Sequence, residues 1–169
     1  MMLALAYILP YFAGMVPEIG KALCPMHIPV LLTGFICGLP YGLSVGFIAP
    51  LLRSVTTSVP PLFPKAVCMA FELATYGAVA GVFYRILPKK KPFVYATLLI
   101  SMLSGRAVWG ICRFICSKIT TDFFGINMFI AYGFTDSILG IILQIILVPI
   151  LIIALENSGL MKGLNKRIK

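Results

Sequence analysis

The stretch FIAYGFTDSILGIILQIILVPILIIAL, residues 129–155, decides the class of this protein. Asp136 is the only charged residue along its whole length. A helix that crosses a bilayer needs about 20 apolar residues, because each residue rises about 1.5 Å and the hydrocarbon core is about 30 Å thick. This stretch therefore predicts a membrane-spanning helix.

The rest of the chain has the same apolar character. Its 169 residues are 60% hydrophobic and only 11% charged. A chain of this size cannot bury so much apolar surface in a water-soluble core. We therefore predict an all-α integral membrane protein that forms a single domain over residues 1–169.

Apolar segments of suitable length recur along the chain. We predict six transmembrane helices, at residues 2–15, 28–39, 42–57, 64–85, 93–117 and 129–155. Prolines punctuate the front half, so its three helices are expected to be short or kinked, with a tight turn at residues 38–42. The apolar N-terminus lacks a basic flank and a convincing cleavage site, which favours a first helix over a removed signal peptide.

The positive charge is concentrated in two segments. The formal net charge is +9, and eight of the fourteen Lys and Arg residues lie in residues 85–91 and 162–169. Both segments flank long apolar runs, as the positive-inside rule requires, and the predicted outer loops carry only Lys21 and Lys118. This distribution predicts cytoplasmic termini and contact with the lipid bilayer, and it argues against nucleic acid as a partner.

Five ionisable side chains lie inside apolar segments, all towards the predicted outer end of their helices: Arg53, Glu72, Arg106, Arg113 and Asp136. A charge in the middle of the membrane costs at least about 2.5–3.5 kcal/mol, so each should face a partner, a ligand or a wet cavity. Three cations against two anions leave a positive charge that would suit a carboxylate or phosphate. The alternative is internal pairing of Glu72 with one arginine and Asp136 with another.

Aromatic and polar residues surround this charged layer. Tyr76 and Trp109 could wall a pocket for an organic ligand, and Asn127 adds hydrogen-bonding capacity. The single histidine, His27, lies between Pro25 and Pro29 at the predicted outer edge of the second helix. We expect it at the surface, with a role as a cap on the pocket as the alternative.

Small residues recur at four-residue spacing in the front half, at Gly34, Gly38, Gly42 and Gly46. Such stripes let helix backbones approach closely. The close neighbour could be another helix of this chain or a second membrane subunit, and the spacing alone leaves both open.

Four stretches carry a resemblance to a known family: PMHIPVLLTG (25–34), GLPYG (38–42), PPLFP (60–64) and MAFELATYG (69–77). With six predicted helices and a length near 170 residues, the chain resembles the substrate-binding S component of energy-coupling factor (ECF) transporters. The resemblance covers most of the chain.

The resemblance implies a B vitamin or related micronutrient as substrate, and a transmembrane coupling subunit with two cytoplasmic ATPases as partners, in the plasma membrane of a prokaryote. It places the substrate near the outer face, where this sequence has Glu72, Tyr76, Trp109, Arg113, Asn127 and Asp136. Members of the family dock through two alanines four apart in the first helix. Here Ala4 and Ala6 are two apart and point to different faces, so the glycine stripe is the alternative docking face.

Two other classes of function stay open at this point. A membrane enzyme could use Glu72, Asp136 or His27 as acid or base, but no HExxH or Walker motif is present. The five cysteines form no CxxC pair and no zinc-ligand spacing with His27, so we predict no catalytic residue, metal or cofactor. A structural membrane subunit with internally paired charges is the other alternative.

Overall fold

The computed structural model describes residues 1–13, 25–88, 91–120, 125–135 and 137–158, and these residues form helices joined by short turns, with no strand among them. The helices of the front half are α1 (Met2–Ala13), α2 (His27–Cys37), α3 (Leu39–Thr57) and α4 (Val67–Ile86). Those of the back half are α5 (Lys91–Thr120), α6 (Ile126–Ile130) and α7 (Ile138–Asn157).

Three described helical segments are long and apolar enough to cross a membrane: Leu62–Ile86, Lys91–Ile119 and Ile138–Asn157. The first of these includes a kinked turn, Leu62–Ala66, in which Phe63 has an extended backbone before α4 begins. Helices α1 and α2 are apolar but shorter.

The helix boundaries differ from the predicted ones at two instructive places. The predicted five-residue turn at 38–42 is reduced to Gly38, which has a φ of 87° and joins α2 directly to α3. Pro40 is then the second residue of α3, a position where the missing N–H of proline removes no intrahelical bond. The predicted helix 129–155 is represented by α6, a π-helical turn at Ala131–Thr135, and α7.

Cross-helix contacts fix the directions of the helices. Near the start of α4 lie the start of α2 and the second half of α5, because Glu72 contacts both His27 and Arg106. Near its end lie the ends of α2 and α7, because Arg85 donates to the Cys37 carbonyl and Tyr84 donates to Glu156. Helices α2, α4 and α7 therefore run in one direction, and α5 runs in the other.

The helices α2, α3 and α4 pack at backbone distance. A Cβ atom on Gly34 or Gly42 would lie 2.5 Å from the carbonyl oxygen of Gly77, and one on Gly46 would overlap the carbonyl of Leu73. Only glycine allows these approaches without moving a backbone. This packing makes α4 the central helix of the described fold, and its opposite face is left for α5.

The apolar core lies between α4 and its neighbours. Leu31 of α2, Leu73 of α4, Leu98 of α5 and Ile152 of α7 are all fully buried within it. Many other large apolar side chains are exposed on the outside of the bundle, including Leu103 and Ile150. An apolar exterior around a packed core is what a lipid environment requires.

Candidate functional site

Glu72 is the centre of a buried polar cluster between α2, α4 and α5. Its Oε1 atom lies 2.9 Å from Nη1 of Arg106 and accepts a 3.0 Å hydrogen bond from the hydroxyl of Tyr76. The side chain of Glu72 is only 2% exposed. Because a buried carboxylate needs compensation, these two donors account for its presence in an apolar helix.

His27 forms the third side of the cluster. Its Nε2 atom lies 3.7 Å from Oε1 of Glu72, and its ring centroid lies 5.3 Å from that of Tyr76. The residue is 3% exposed, so the expectation of a surface histidine was wrong. The turn before α2 is itself buried, at Pro25 and Met26, so the whole start of α2 packs against α4 and brings His27 to Glu72 and Tyr76.

Gly105 explains how α5 comes close enough to supply Arg106. A Cβ atom at position 105 would lie 2.7 Å from two ring carbons of Tyr76 and 3.1 Å from the Glu72 carbonyl oxygen. The absence of a side chain lets the Tyr76 ring lie against the α5 backbone. Arg106, the next residue, therefore lies within contact distance of Glu72. A glycine next to an intramembrane arginine was the available sequence signal for this pairing.

A groove of about 460 Å³ opens on another face of α5, towards α6. Its lining is apolar: Ala107, Gly110, Ile111, Phe114, Gly125, Ile126 and Phe129. Gly110 makes room for the Phe129 ring, which would overlap a Cβ atom there. The sequence analysis did not identify these residues. The signal was the pairing of small Ala107 and Gly110 with large Ile111 and Phe114 on one helical face.

Two of the predicted site residues lie near this groove. The Trp109 ring centroid is 6.0 Å from that of Phe129, and Asn127 is an exposed residue of α6 beside the lining residue Ile126. Tyr76, by contrast, is fully buried beside Glu72. The predicted residues are thus divided between the buried cluster and the groove.

Arg53 has different neighbours. It donates a 3.1 Å hydrogen bond from Nε to the Val59 carbonyl, and its guanidinium carbon lies 5.4 Å from the centroid of the Tyr11 ring. Nearby, the hydroxyl of Tyr7 donates to Thr56 at 3.0 Å. Arg53 therefore anchors the end of α3 to the following loop and to α1, and it does not belong to the group of residues around Glu72.

The remaining predicted charges are Arg113 and Asp136. Arg113 lies seven residues after Arg106, on the same side of α5, and is partly buried. Asp136 lies outside the described residues. In the part of the chain that the structure describes, no three His, Cys, Asp or Glu side chains are placed to hold a metal ion.

Comparison with protein families identifies the chain. The family model of the ECF transporter substrate-specific component matches residues 1–152. The chain belongs to this family. Comparisons with curated proteins and with solved structures gave no significant match.

Membership identifies this S component as part of a multi-pass membrane transporter, in a family of transport subunits and not of enzymes. It implies a small-molecule substrate, a transmembrane coupling subunit and ATPases as partners. The resemblance read from the sequence is therefore confirmed at the level of the family.

The residues predicted to dock this S component onto its coupling subunit have mixed positions. Ala4 is exposed, whereas Ala6 is fully buried. Gly34, Gly42 and Gly46 face α4, and a Cβ atom on Gly38 would overlap the guanidinium of Arg85. Packing within the chain accounts for all four glycines. Their covered faces argue against docking through them.

Proposed function

We propose that this S component captures a B vitamin or related micronutrient, with an anionic group, from outside the cell for ATP-driven uptake. The observation that carries the proposal is the family match over residues 1–152. The coupling subunit and two cytoplasmic ATPases supply the energy, since the chain has no Walker motif of its own. A solute-binding subunit needs a specific pocket, and the face of α5 towards α6 offers one.

We also propose six membrane crossings with both termini in the cytoplasm of a prokaryotic cell. Support comes from the helix directions, because α2, α4 and α7 run opposite to α5, and from the cations of residues 85–91 and 162–169. In this orientation the end of α4 at Arg85 faces the cytoplasm. The Glu72 cluster and the groove then lie in the outer half of the membrane.

The groove is proposed as the site for the apolar part of the substrate. Its volume of about 460 Å³ falls in the range of about 300–1,000 Å³ that is typical of small-molecule sites. Phe114 and Phe129 line it, and Trp109 packs near Phe129. Aromatic walls of this kind suit a ring or a branched carbon skeleton.

The anionic group of the substrate is assigned to Arg113. Arg106 is engaged by Glu72, so it serves to hold α4 and α5 together on a different face of α5 from the groove. Arg113 lies one heptad closer to the outer end of α5, directly before the groove residue Phe114, and its guanidinium is a planar fork of donors that suits a carboxylate or phosphate. The assignment requires this guanidinium to reach from the Arg106 side of α5 to the edge of the groove. Asn127 of α6 stays in the proposed site as a polar contact, and so does Asp136, which lies outside the described residues.

A thermal-shift screen of the purified protein against the water-soluble vitamins tests the proposal. We expect one vitamin to raise the unfolding temperature, and isothermal titration then gives its Kd. Arg113→Gln should weaken binding about ten- to a hundredfold, because a hydrogen bond to a charged group contributes about 1.5–3 kcal/mol. The exposed Lys91, at the start of α5 and outside the groove lining, is the control as Lys91→Gln.

The groove is tested separately by filling it. Ala107→Trp places a large ring among the lining residues and should abolish binding, whereas Leu99→Trp puts the same ring on an exposed position of α5 outside the lining and should leave the Kd unchanged. Unaltered binding by Ala107→Trp would place the substrate elsewhere. No response to any vitamin, from protein that unfolds cooperatively, would favour a purely structural subunit.

A further inference from the structure

Two thiols meet between α4 and α5. The Sγ atoms of Cys68 and Cys116 are 3.7 Å apart, although 48 positions separate them in the chain. Cys68 is fully buried and Cys116 is 8% exposed. The sequence showed no CxxC pair, so only the antiparallel packing of the two helices brings these cysteines together.

The geometry of this contact is close to that of a disulfide. A disulfide has an S–S distance of about 2.0 Å, so the gap of 3.7 Å must close by roughly 1.7 Å. Rotation about the two Cα–Cβ bonds is the motion by which the sulfur atoms would close this gap.

We propose that Cys68 and Cys116 form an oxidisable dithiol whose disulfide ties α4 to α5. A small external disulfide serves as the oxidant. The thiolate of Cys116, the more accessible of the two, attacks one sulfur of the reagent, which forms a mixed disulfide and releases one reagent thiol. The thiolate of Cys68 then attacks the Cys116 sulfur and releases the second reagent thiol. The two protein thiols lose two electrons and two protons, and the reagent gains both.

The position of the link gives it a structural consequence. Cys68 lies one turn before Glu72 on α4, so the disulfide joins the helices that the Glu72–Arg106 pair already joins. The orientation proposed above turns this end of the helices towards the cell exterior, where disulfides persist. The chemistry itself depends neither on that orientation nor on the identity of the substrate.

Cys112 provides an internal control. It lies one turn before Cys116 on α5 and is partly buried, which makes it more accessible than either member of the pair. A reaction governed by accessibility alone would consume Cys112 first. A reaction governed by the 3.7 Å contact yields the Cys68–Cys116 link whether or not Cys112 is present.

The test uses the full-length protein in detergent, treated with bis(2-hydroxyethyl) disulfide. The protein is then denatured without reductant, the remaining thiols are counted by the gel shift that a polyethylene-glycol maleimide produces, and the link is mapped by mass spectrometry of peptides. We expect wild type and Cys112→Ala each to lose two reactive thiols to a Cys68–Cys116 peptide pair, reversibly with dithiothreitol. Cys68→Ala and Cys116→Ala should form no such pair. The oxidised protein should unfold several degrees higher, because the cross-link restricts the unfolded chain.

Several results would overturn the proposal. All five cysteines could stay reactive after treatment, the mapped link could involve Cys112, or the product could be an intermolecular dimer. If an alanine variant fails to fold, the peptide map of the wild-type protein decides alone. None of these readouts requires a bound vitamin, so the outcome is independent of the uptake function.

Discussion

Nη1 of Arg106 lies 2.9 Å from Oε1 of Glu72, and this contact joins α5 to α4 inside an apolar bundle. Both side chains are at least nine-tenths buried. Two charges in such a place stabilise the protein only as a pair, since either one alone would remain desolvated without compensation. The strength of this coupling is open to direct measurement.

A double-mutant cycle measures it. Glu72→Gln and Arg106→Gln should each lower the free energy of unfolding by about 3–5 kcal/mol, because each leaves one buried charge uncompensated. The double variant Glu72→Gln/Arg106→Gln should lose clearly less than the sum of the two. Unfolding by sodium dodecyl sulfate, followed by circular dichroism, gives the three values. Lys91→Gln, at the exposed start of α5, is the control. Strict additivity would show that the pair is not coupled.

The hydroxyl of Tyr76 should contribute separately. Tyr76→Phe keeps the ring against Gly105 but removes the 3.0 Å donor to Glu72. We expect a loss of about 1.5–3 kcal/mol, the usual range for a hydrogen bond to a charged group. Tyr95→Phe, which changes an exposed tyrosine of α5, should leave the unfolding curve in place. Equal curves for both variants would mean that Arg106 alone satisfies the carboxylate.

Gly77→Ala tests the contact of α4 with α3. The added methyl group would overlap the backbone of Gly42, and no flexible side chain can move aside. Overpacking of this kind costs about 1–3 kcal/mol, and we expect the unfolding temperature to fall accordingly. Gly133→Ala is the control, since its nearest neighbour would be Trp109 at an ordinary 3.7 Å. A Gly77→Ala variant as stable as the control would show that the helices can separate freely.

His27 should be replaceable by an apolar ring without loss of stability. Neither ring nitrogen has a hydrogen-bond partner among the described residues, although the side chain is buried. Because unsatisfied buried polar atoms cost about 1–3 kcal/mol, His27→Phe should match or exceed the wild type in thermal unfolding. His27→Asp should be strongly destabilised, since it puts a second carboxylate beside Glu72. A marked loss in His27→Phe would instead reveal an attractive interaction of the imidazole with Glu72.

The sequence was sufficient to predict that Glu72 needs a buried partner, because charge and hydropathy alone require one. It could not predict which arginine would serve. That choice depends on the rotation of α5 about its axis. Gly105 determines this rotation, because only a residue without a side chain lets the Tyr76 ring pack against the α5 backbone. Arg53 belongs to the same predicted charged layer as Arg106, but its partners are Tyr11 and the Val59 carbonyl, because it lies near the end of α3.

The glycine stripe (Gly34, Gly38, Gly42 and Gly46) and His27 also show that the sequence does not predict which elements pack together. Four-residue spacing correctly indicated a close helix contact, but the identity of the neighbour is a tertiary fact, and the neighbour is α4 of the same chain. His27 was expected outside because prolines surround it. The start of α2, including Pro25 and Met26 before it, is buried against the bundle, and this packing is a tertiary fact. The sequence did not predict the groove beside α6, because a groove is the space that small side chains leave unfilled, and that space depends on how the helices pack.

The contact between Gly42 and Gly77 also bears on how a solute could enter and leave. Two helices whose backbones are in direct contact cannot slide or tilt without a clash, so we expect α2, α3 and α4 to move as one rigid body. We therefore expect relative helix movement at the interface between α4 and α5 and in the short segments that follow α5. The ion pair of Glu72 with Arg106 holds that interface closed.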